Sequence, residues 1–592
     1  MSTAPSQNSS SDQAKPWLKF YTEGTAPNLD YGETTLVSIF RDAVRKYGKR
    51  DAMWFLGTQI TYSEFGELVD KAAAVLKENG VKRGDRVAVV LPNCPANLVA
   101  FYAIVSLGAT AVYHNPLYTA HELEGPFADH GAKVAVFWDN TADIAQHLVD
   151  TTPLEKVFTV NITKSMPLLQ RVALSLPVPV LRKAKAKLTG GPTQFEDWDA
   201  AVDAMAPGLG RRTIQDALPM VQPECPALIL YTSGTTGSPK GAVLSHRNIC
   251  ANLIQGKAWV PGLGEQADPE RMLAALPMFH AYGMTMNGAL APLIGGELLL
   301  LPAPEPSLLQ QVIKKKKPTW VPGVPALYQA IVKLAEEKNL DLSTMRNSFS
   351  GASALPVETV ENWEKATNGR LVEGYGLTET SPIVLGNPMS DDRRPSYVGV
   401  PFPDTEARVV DQDDPTKVLD YGEEGELVVR GPQVFGGYLH QEQLNERIFA
   451  DGWFRTGDMA VMEADGFVKI VSRLKEMIVT GGFNVYPAEV EEALRDHPQV
   501  EDAAVVGLTK EDGSERVVAA LTLKEAVDAP KLHQPRRVGE DLKESLRRHC
   551  KQVLTGYKVP REFFHVSALP ADQMGKVRRT QMRAILEELE RR

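Results

Sequence analysis

Between Tyr231 and His246 the chain reads YTSGTTGSPKGAVLSH: Thr232, Ser233, Gly234, Thr235, Thr236 and Gly237 pass without a large side chain, and Lys240 follows Pro239. Glycines let several backbone N–H groups converge on one anion, hydroxyls add donors, and a lysine supplies a compact positive charge. That chemistry suits the phosphates of a nucleotide. A Walker loop would put Lys directly after Gly, follow it with Ser or Thr, and open a helix. Here Lys240 sits between Pro239 and Gly241 and an apolar strand follows, which disfavours a P-loop ATPase. The plain alternative, a surface turn, is disfavoured by so long a run of this composition between two apolar strands.

Six further segments carry chemistry-bearing residues in a fixed order: LPMFHAYG at Leu276–Gly283, SGAS at Ser350–Ser353, YGLTET at Tyr375–Thr380, FRTGD at Phe454–Asp458, SRLKEMIVTGGFNVYP at Ser472–Pro487 and MGKVRR at Met574–Arg579. SGAS stops short of a hydrolase nucleophile elbow, because GASAL has Leu355 where GxSxG needs Gly. Together with the glycine-rich loop, this series resembles the adenylate-forming superfamily, which includes acyl-CoA synthetases, firefly-type luciferases and the adenylation domains of peptide synthetases. The resemblance runs over nearly the whole chain after a polar start.

The resemblance implies a role for each position. The loop residues 232–237 and Lys240 would hold ATP phosphates. Tyr375, flanked by Glu373, Gly374 and Gly376, would lie against adenine, with Gly351, Ala352 and Ser353 as the opposite wall. Asp458 would accept the ribose hydroxyls, and Arg473 would add charge near ribose and phosphate. Thr378 would contact the α-phosphate. Glu379 would ligate Mg²⁺, a hard cation that takes one or two carboxylates plus phosphate and water. Lys576 would reach the carboxylate and α-phosphate during adenylation, as a movable point charge. Lys475 matches a hinge, Gly481 and Gly482 a coenzyme A tunnel, and His280 an aromatic gate beside the acyl site. One departure stands out: Leu569–Pro570 is followed by ADQMGK, where relatives carry Lys or Arg and then Thr. Taken singly, Glu379, Asp458 and Arg473 read more readily as surface charges, Lys576 as one more solvated lysine in a basic tail, and His280 as a packed, hydrogen-bonded ring.

The elements that must position these residues are legible as patterns. The chain has 592 residues, more than one hydrophobic core usually holds. Short apolar runs alternate with helical patterns: RVAVVL at Arg86–Leu91, VAVFW at Val134–Trp138 and ALILY at Ala227–Tyr231 as strands, Asn97–Leu107 as a helix. That alternation predicts an α/β fold with mostly parallel, helix-covered sheets. EARVVD and GELVVR, between Asp404 and Arg430, predict a small antiparallel β unit. After Arg473 the pattern becomes helix Pro487–Asp496, strands Ala503–Gly507 and Val517–Leu523, and a charged helix near Asp541–Cys550, a small α+β domain. The expected division is a disordered tail over 1–16, an adenylation domain over 17–472 and a mobile domain over 473–592. A small domain on a swivel would let one cleft serve two half-reactions.

Composition narrows the class. The net charge of −10 argues against a nucleic-acid binder. Four cysteines without CxxC spacing argue against a disulfide framework or zinc. No signal peptide or membrane-spanning run is legible, so the expected address is the cytoplasm. The segment MPLLQRVALSLPVPVLRKAKAKLTGG at Met166–Gly191 mixes aliphatics with cations, and Pro177 and Pro179 forbid one continuous helix. It reads either as a solvated linker or as a peripheral membrane contact. NPLYTAHELE at Asn115–Glu124 and GGFNVYPAEVE at Gly481–Glu491 resemble bacterial long-chain fatty-acid ligases. Expected partners are a fatty acid, ATP and coenzyme A, with Mg²⁺; a homodimer is left open. The expected reaction is acyl-adenylate formation followed by transfer to coenzyme A. The alternatives are a fatty acyl-AMP ligase or another adenylate-forming enzyme, and an inactive lipid-binding relative.

Overall fold

The computed structural model describes residues 15–206, 208–217, 220–232, 239–473, 476–480, 483–509, 515–524, 529–572 and 575–591. Ser233, Gly234, Thr235, Thr236, Gly237, Lys475, Gly481, Gly482 and the first fourteen residues lie outside the described residues. Among those described, two large sheets dominate. One has seven strands in the order Glu196–Asp197, Lys156–Val160, Val134–Trp138, Arg86–Val90, Thr110–Tyr113, Pro226–Thr232 and Lys240–Ser245. Every pair in it is parallel except the last, which is a hairpin. All five residues of Val134–Trp138 are buried, as expected for a strand covered on both faces. The helix Pro95–Ser106 beside it is buried along its whole length and is apolar all round. It begins at a proline, whose missing N–H costs nothing in the first turn.

The second sheet has nine strands. Its parallel centre runs Arg370–Gly376, Asn347–Ser350, Trp320–Gly323, Arg271–Ala274, Glu297–Leu300 and Asp51–Phe55, with antiparallel strands at both edges. The predicted β unit is present: Glu406–Val410 pairs antiparallel with Glu424–Arg430, which pairs with Trp453–Met462, and Val468–Arg473 joins the latter. A single core cluster extends from Trp17 to Val468.

Beyond it lies the small α+β domain. Val500–Thr509, Glu515–Leu523, Glu562–His565 and Arg536–Arg537 form one sheet. Alternation sorts its side chains: Ala503, Val505 and Val517 pack with Val490, Leu494 and Leu546, whereas Ala504, Val506 and Val518 pack with Met582 and Leu586. The helices Pro487–Arg495 and Glu540–Val553 thus cover one face, and Arg579–Arg591 covers the other. The basic segment forms two short helices, Leu168–Leu174 and Pro179–Ala186, separated where the prolines fall. Among the described residues no helix is long and apolar enough to cross a membrane.

Candidate active site

Three parallel strands, Trp320–Gly323, Asn347–Ser350 and Arg370–Gly376, end side by side, in register Gly323 to Ser350 and Ser350 to Glu373. The carboxyl ends of such strands are where open α/β sheets bind ligands. Gly351 N–H donates to the Gly323 carbonyl at 3.2 Å, and a Cβ on Gly351 would press the Tyr282 ring at 3.2 Å. Ala352 then turns through φ +69°, a conformation rare for a residue with a side chain. Gly376 has no room for a side chain: a Cβ there would lie 1.7 Å from the Pro382 carbonyl oxygen. Gly374 is as crowded against the Phe349 ring. Tyr375, held between these two glycines, donates its hydroxyl to Asp458 Oδ2 at 2.5 Å. Asp458 is buried on the strand Trp453–Met462, opposite Arg473. The residues expected at adenine and ribose, 83 positions apart, are therefore hydrogen-bonded to each other. Glu373, buried one strand position away from the wall, has its carboxyl pushed up to about 8 by desolvation.

The side expected to hold phosphate is built from two directions. Thr232 and Lys240 face each other across the hairpin that brackets the glycine-rich loop. The strand entering that loop is fixed from below: Tyr231 donates to Asp129 Oδ2 at 2.6 Å and stacks on His114. His114 and His130 meet at 3.0 Å between ring nitrogens, and burial holds both well below the ordinary imidazole range, so they pair as neutral rings. The far side is the turn Thr378–Thr380. Thr378 is half-buried there, next to Glu379, which is buried and whose carbonyl accepts the Phe435 N–H at 2.8 Å. Tyr438 donates its hydroxyl to Glu379 Oε1 at 2.5 Å, and Lys240 Nζ lies 6.0 Å from the Tyr438 ring centroid. Burial and the Glu379 charge raise the Tyr438 pKa, which keeps the hydroxyl a donor. Leu439 N–H donates to the Gly241 carbonyl at 2.8 Å, tying this turn to the strand after the loop. Tyr438 was not foreseen from sequence. Its one signal is a Gly-Gly-Tyr turn after GELVVR, which reads as an ordinary packed aromatic.

Glu379 offers a single buried carboxylate, and among the described residues no group of three or more His, Cys, Asp or Glu could hold a metal. That donor set fits Mg²⁺ arriving on phosphate oxygens and taking one protein carboxylate. It does not fit a resident metal centre.

Lys576 sits on a tight turn closed by the residue that departs from the family pattern. Asp572 N–H donates to the Lys576 carbonyl at 2.9 Å, Asp572 Oδ1 accepts the Lys576 N–H at 2.9 Å, and Gly575 turns at φ +76°. A Cβ on Gly575 would lie 3.9 Å from Ala326 Cβ, at the start of the helix Pro325–Lys338. The lysine turn thus faces the same strand ends as the residues expected to hold the nucleotide. Burial lowers the His280 pKa and the Asp572 charge opposes that effect, so His280 is a neutral ring 4.9 Å from Phe279. Arg579, next to this turn, forks onto Glu491 at 2.7 and 2.6 Å and also pairs with Glu476. Arg473 is placed by its backbone only, opposite Asp458.

The Tyr375–Asp458 and Tyr438–Glu379 pairs, gathered with the Lys576 turn about one set of strand ends, follow the pattern of an AMP-binding enzyme. The model of that family matches residues 40–439, and the model of the AMP-binding enzyme C-terminal domain matches residues 489–576. The chain belongs to the AMP-binding enzyme family. It is 34% identical over 576 residues to the long-chain-fatty-acid–CoA ligase of Bacillus subtilis, covering 97% of this chain and 98% of that one. It is 35% identical over 573 residues to the long-chain-fatty-acid–CoA ligase of Escherichia coli O157:H7, covering 96% and 98%. Among solved structures, the ATP-bound MatB from Rhodopseudomonas palustris superposes with a TM-score of 0.74 at 26% identity, covering 94% of this chain and 100% of that one. The anthranilate CoA ligase AuaEII with anthranoyl-AMP gives 0.78 at 24% identity, covering 95% and 99%, a likeness of fold.

Proposed function

We propose that the chain spends ATP to activate a long-chain fatty acid and passes the acyl group to coenzyme A. In the first step a carboxylate oxygen attacks the α-phosphorus and diphosphate leaves. In the second, the coenzyme A sulfur attacks the acyl carbonyl and AMP leaves. The observation that carries this reading is the convergence at one set of strand ends of the Tyr375–Asp458 and Tyr438–Glu379 pairs with the Lys576 turn. The full-length likeness to fatty-acid–CoA ligases supports the acid and the acceptor.

In this reading Tyr375 and the Gly351–Ser353 turn sandwich adenine, with Glu373, Gly374 and Gly376 shaping the strand. Asp458 takes the ribose, and Arg473 adds charge beside it. Thr232 to Gly237 and Lys240 hold the β- and γ-phosphates, and Thr378 holds the α-phosphate. Glu379 would hold Mg²⁺, which when bound would neutralise phosphate charge. Lys576 steadies the charge building between carboxylate and α-phosphate, then leaves as the unit 473–592 swings about Lys475. Gly481 and Gly482 leave room for the pantetheine arm in the second state, and neutral His280 borders the acyl entrance. The unit 17–472 holds the cleft throughout. The work is placed in the cytoplasm, with peripheral membrane contact through residues 166–191.

A diphosphate-release screen over fatty acids of graded length, with and without coenzyme A, tests this directly. AMP and acyl-CoA formed together, best with long chains, is the expected result. Adenylate without thioester would transfer the chain to the fatty acyl-AMP ligases.

A further inference from the structure

Between Glu155 and Glu196 the chain carries no acidic residue, although its overall charge is −10. Within that stretch the helices Leu168–Leu174 and Pro179–Ala186 bury none of their residues. Leu168, Leu169, Val172, Leu176, Val178 and Val180 are all exposed, Leu169 at 85% and Val180 at 73%. They make up six of the fourteen exposed large apolar side chains among the described residues, concentrated in thirteen positions. Single exposed aliphatics need no explanation, but a contiguous group does. Interleaved with them are Arg171, Arg182, Lys183 and Lys185, none of which has an ion pair among the described residues.

The segment is nevertheless anchored at its base. Met166 and Leu188 pack on the main core, the Leu188 carbonyl accepts Trp138 Nε1–H at 3.0 Å, and Gly190 N–H donates to Asp139 Oδ1 at 3.1 Å. Lys187 pairs with Glu305 at 2.8 Å. The result is an anchored stalk presenting a helical hairpin of aliphatics and of cations that have no ion pair among the described residues. Helices of this length are marginal in water and gain from burying an apolar side. A protein groove would cover the aliphatics but would need its own acids for the cations. Nucleic acid would take the cations and leave the aliphatics wet.

We infer that residues 167–187 dock the enzyme on an anionic lipid bilayer, with the aliphatics at the headgroup–acyl boundary and the cations at the level of the lipid phosphates. Docking would bring the enzyme to the phase into which long-chain acids partition. That consequence rests on the long-chain reading above; the docking does not.

Flotation of the full chain with phosphatidylcholine vesicles, or with vesicles half phosphatidylglycerol, measured without substrate at low and high salt, tests the inference. Binding is expected on the anionic vesicles at low salt, weakened about tenfold or more by Leu168→Ser with Leu169→Ser, and likewise by Arg182→Glu with Lys183→Glu and Lys185→Glu. All the altered side chains are exposed, so circular dichroism and turnover of acid in detergent micelles should match the parent, while turnover of vesicle-borne acid falls. No binding by the parent, or equal binding by parent and both variants, overturns the docking. Vesicle binding without turnover of any acid would leave the docking standing and remove the fatty-acid reading instead.

Discussion

Tyr438 and Glu379 stand 59 positions apart, yet their contact aims the carboxylate proposed to hold Mg²⁺. A hydroxyl on Oε1 fixes the carboxylate rotamer before any cation arrives, and such supporting partners commonly matter about 10–100-fold to metal affinity or activity. Tyr438→Phe keeps the ring against Lys240 and removes the donor. It should raise the Mg²⁺ concentration needed for half-maximal diphosphate release about tenfold, leaving the KM for coenzyme A unchanged; an unchanged Mg²⁺ titration would argue against this support. Glu373 makes a second residue-scale prediction. Its carboxyl is raised from 4.5 to about 8 by burial, so the folded chain binds a proton that the unfolded chain releases. The contribution is fully present below about pH 4.5 and is lost as pH rises through about 8, with an upper bound on the order of 5 kcal/mol. Thermal midpoints should therefore decline across pH 5–8, and Glu373→Gln should flatten the decline; parallel curves would contradict it. At this scale the residue types were legible and their pairings were not. Tyr375, Asp458 and Glu379 each stand in a readable segment, but only folding reveals that Tyr375 bonds Asp458 or that Tyr438 serves Glu379. The reverse also holds: Asp572, which looked like a defect beside Lys576, closes the turn that presents it.

At the scale of elements, continuous apolar runs sufficed to find the buried strands, since a strand covered on both faces leaves few polar positions. The predicted Val134–Trp138 coincides with the observed strand, and Ala503–Gly507 is the centre of a longer one, Val500–Thr509. Its ends were missed because Glu501, Asp502 and Thr509 break the apolar run; Asp502 and Thr509 keep their ladder partners, and Glu501 falls at a register shift. Strand order was not legible. Nothing local tells that Arg86–Val90 lies between Val134–Trp138 and Thr110–Tyr113, a choice made by crossovers. The fork of Arg579 is an element-scale device. It joins the start of the last helix to Glu491 in the helix Pro487–Arg495 and to Glu476 just before the strand Ile478–Thr480. Removing one member of a well-buried pair leaves the other charge stranded, at a cost of about 3 kcal/mol or more. Arg579→Ala should therefore speed hydrogen exchange across residues 476–509 and lower the midpoint of the small domain. Unaltered exchange there would show the fork to be dispensable.

For the whole molecule, the question is how one cleft performs two displacements. In the proposed function Lys576 serves the first alone. Lys576→Ala should slow diphosphate release about 100-fold or more, while acyl-CoA formation from preformed acyl-AMP stays near the parent rate. Equal loss in both assays would mean the lysine does not leave between steps. The two-domain architecture was legible because pattern and composition change after Arg473.

The central claim is that a carboxylate oxygen becomes bonded to the α-phosphorus of ATP, and labelled oxygen reads this directly. The purified chain is given a long-chain acid carrying ¹⁸O in both carboxyl oxygens, with Mg²⁺, ATP and coenzyme A, and the nucleotide product is weighed. Thiol attack breaks the carbon–oxygen bond of the anhydride, so the account predicts AMP carrying a single labelled oxygen. Unlabelled AMP, or ADP with label in inorganic phosphate, would contradict it.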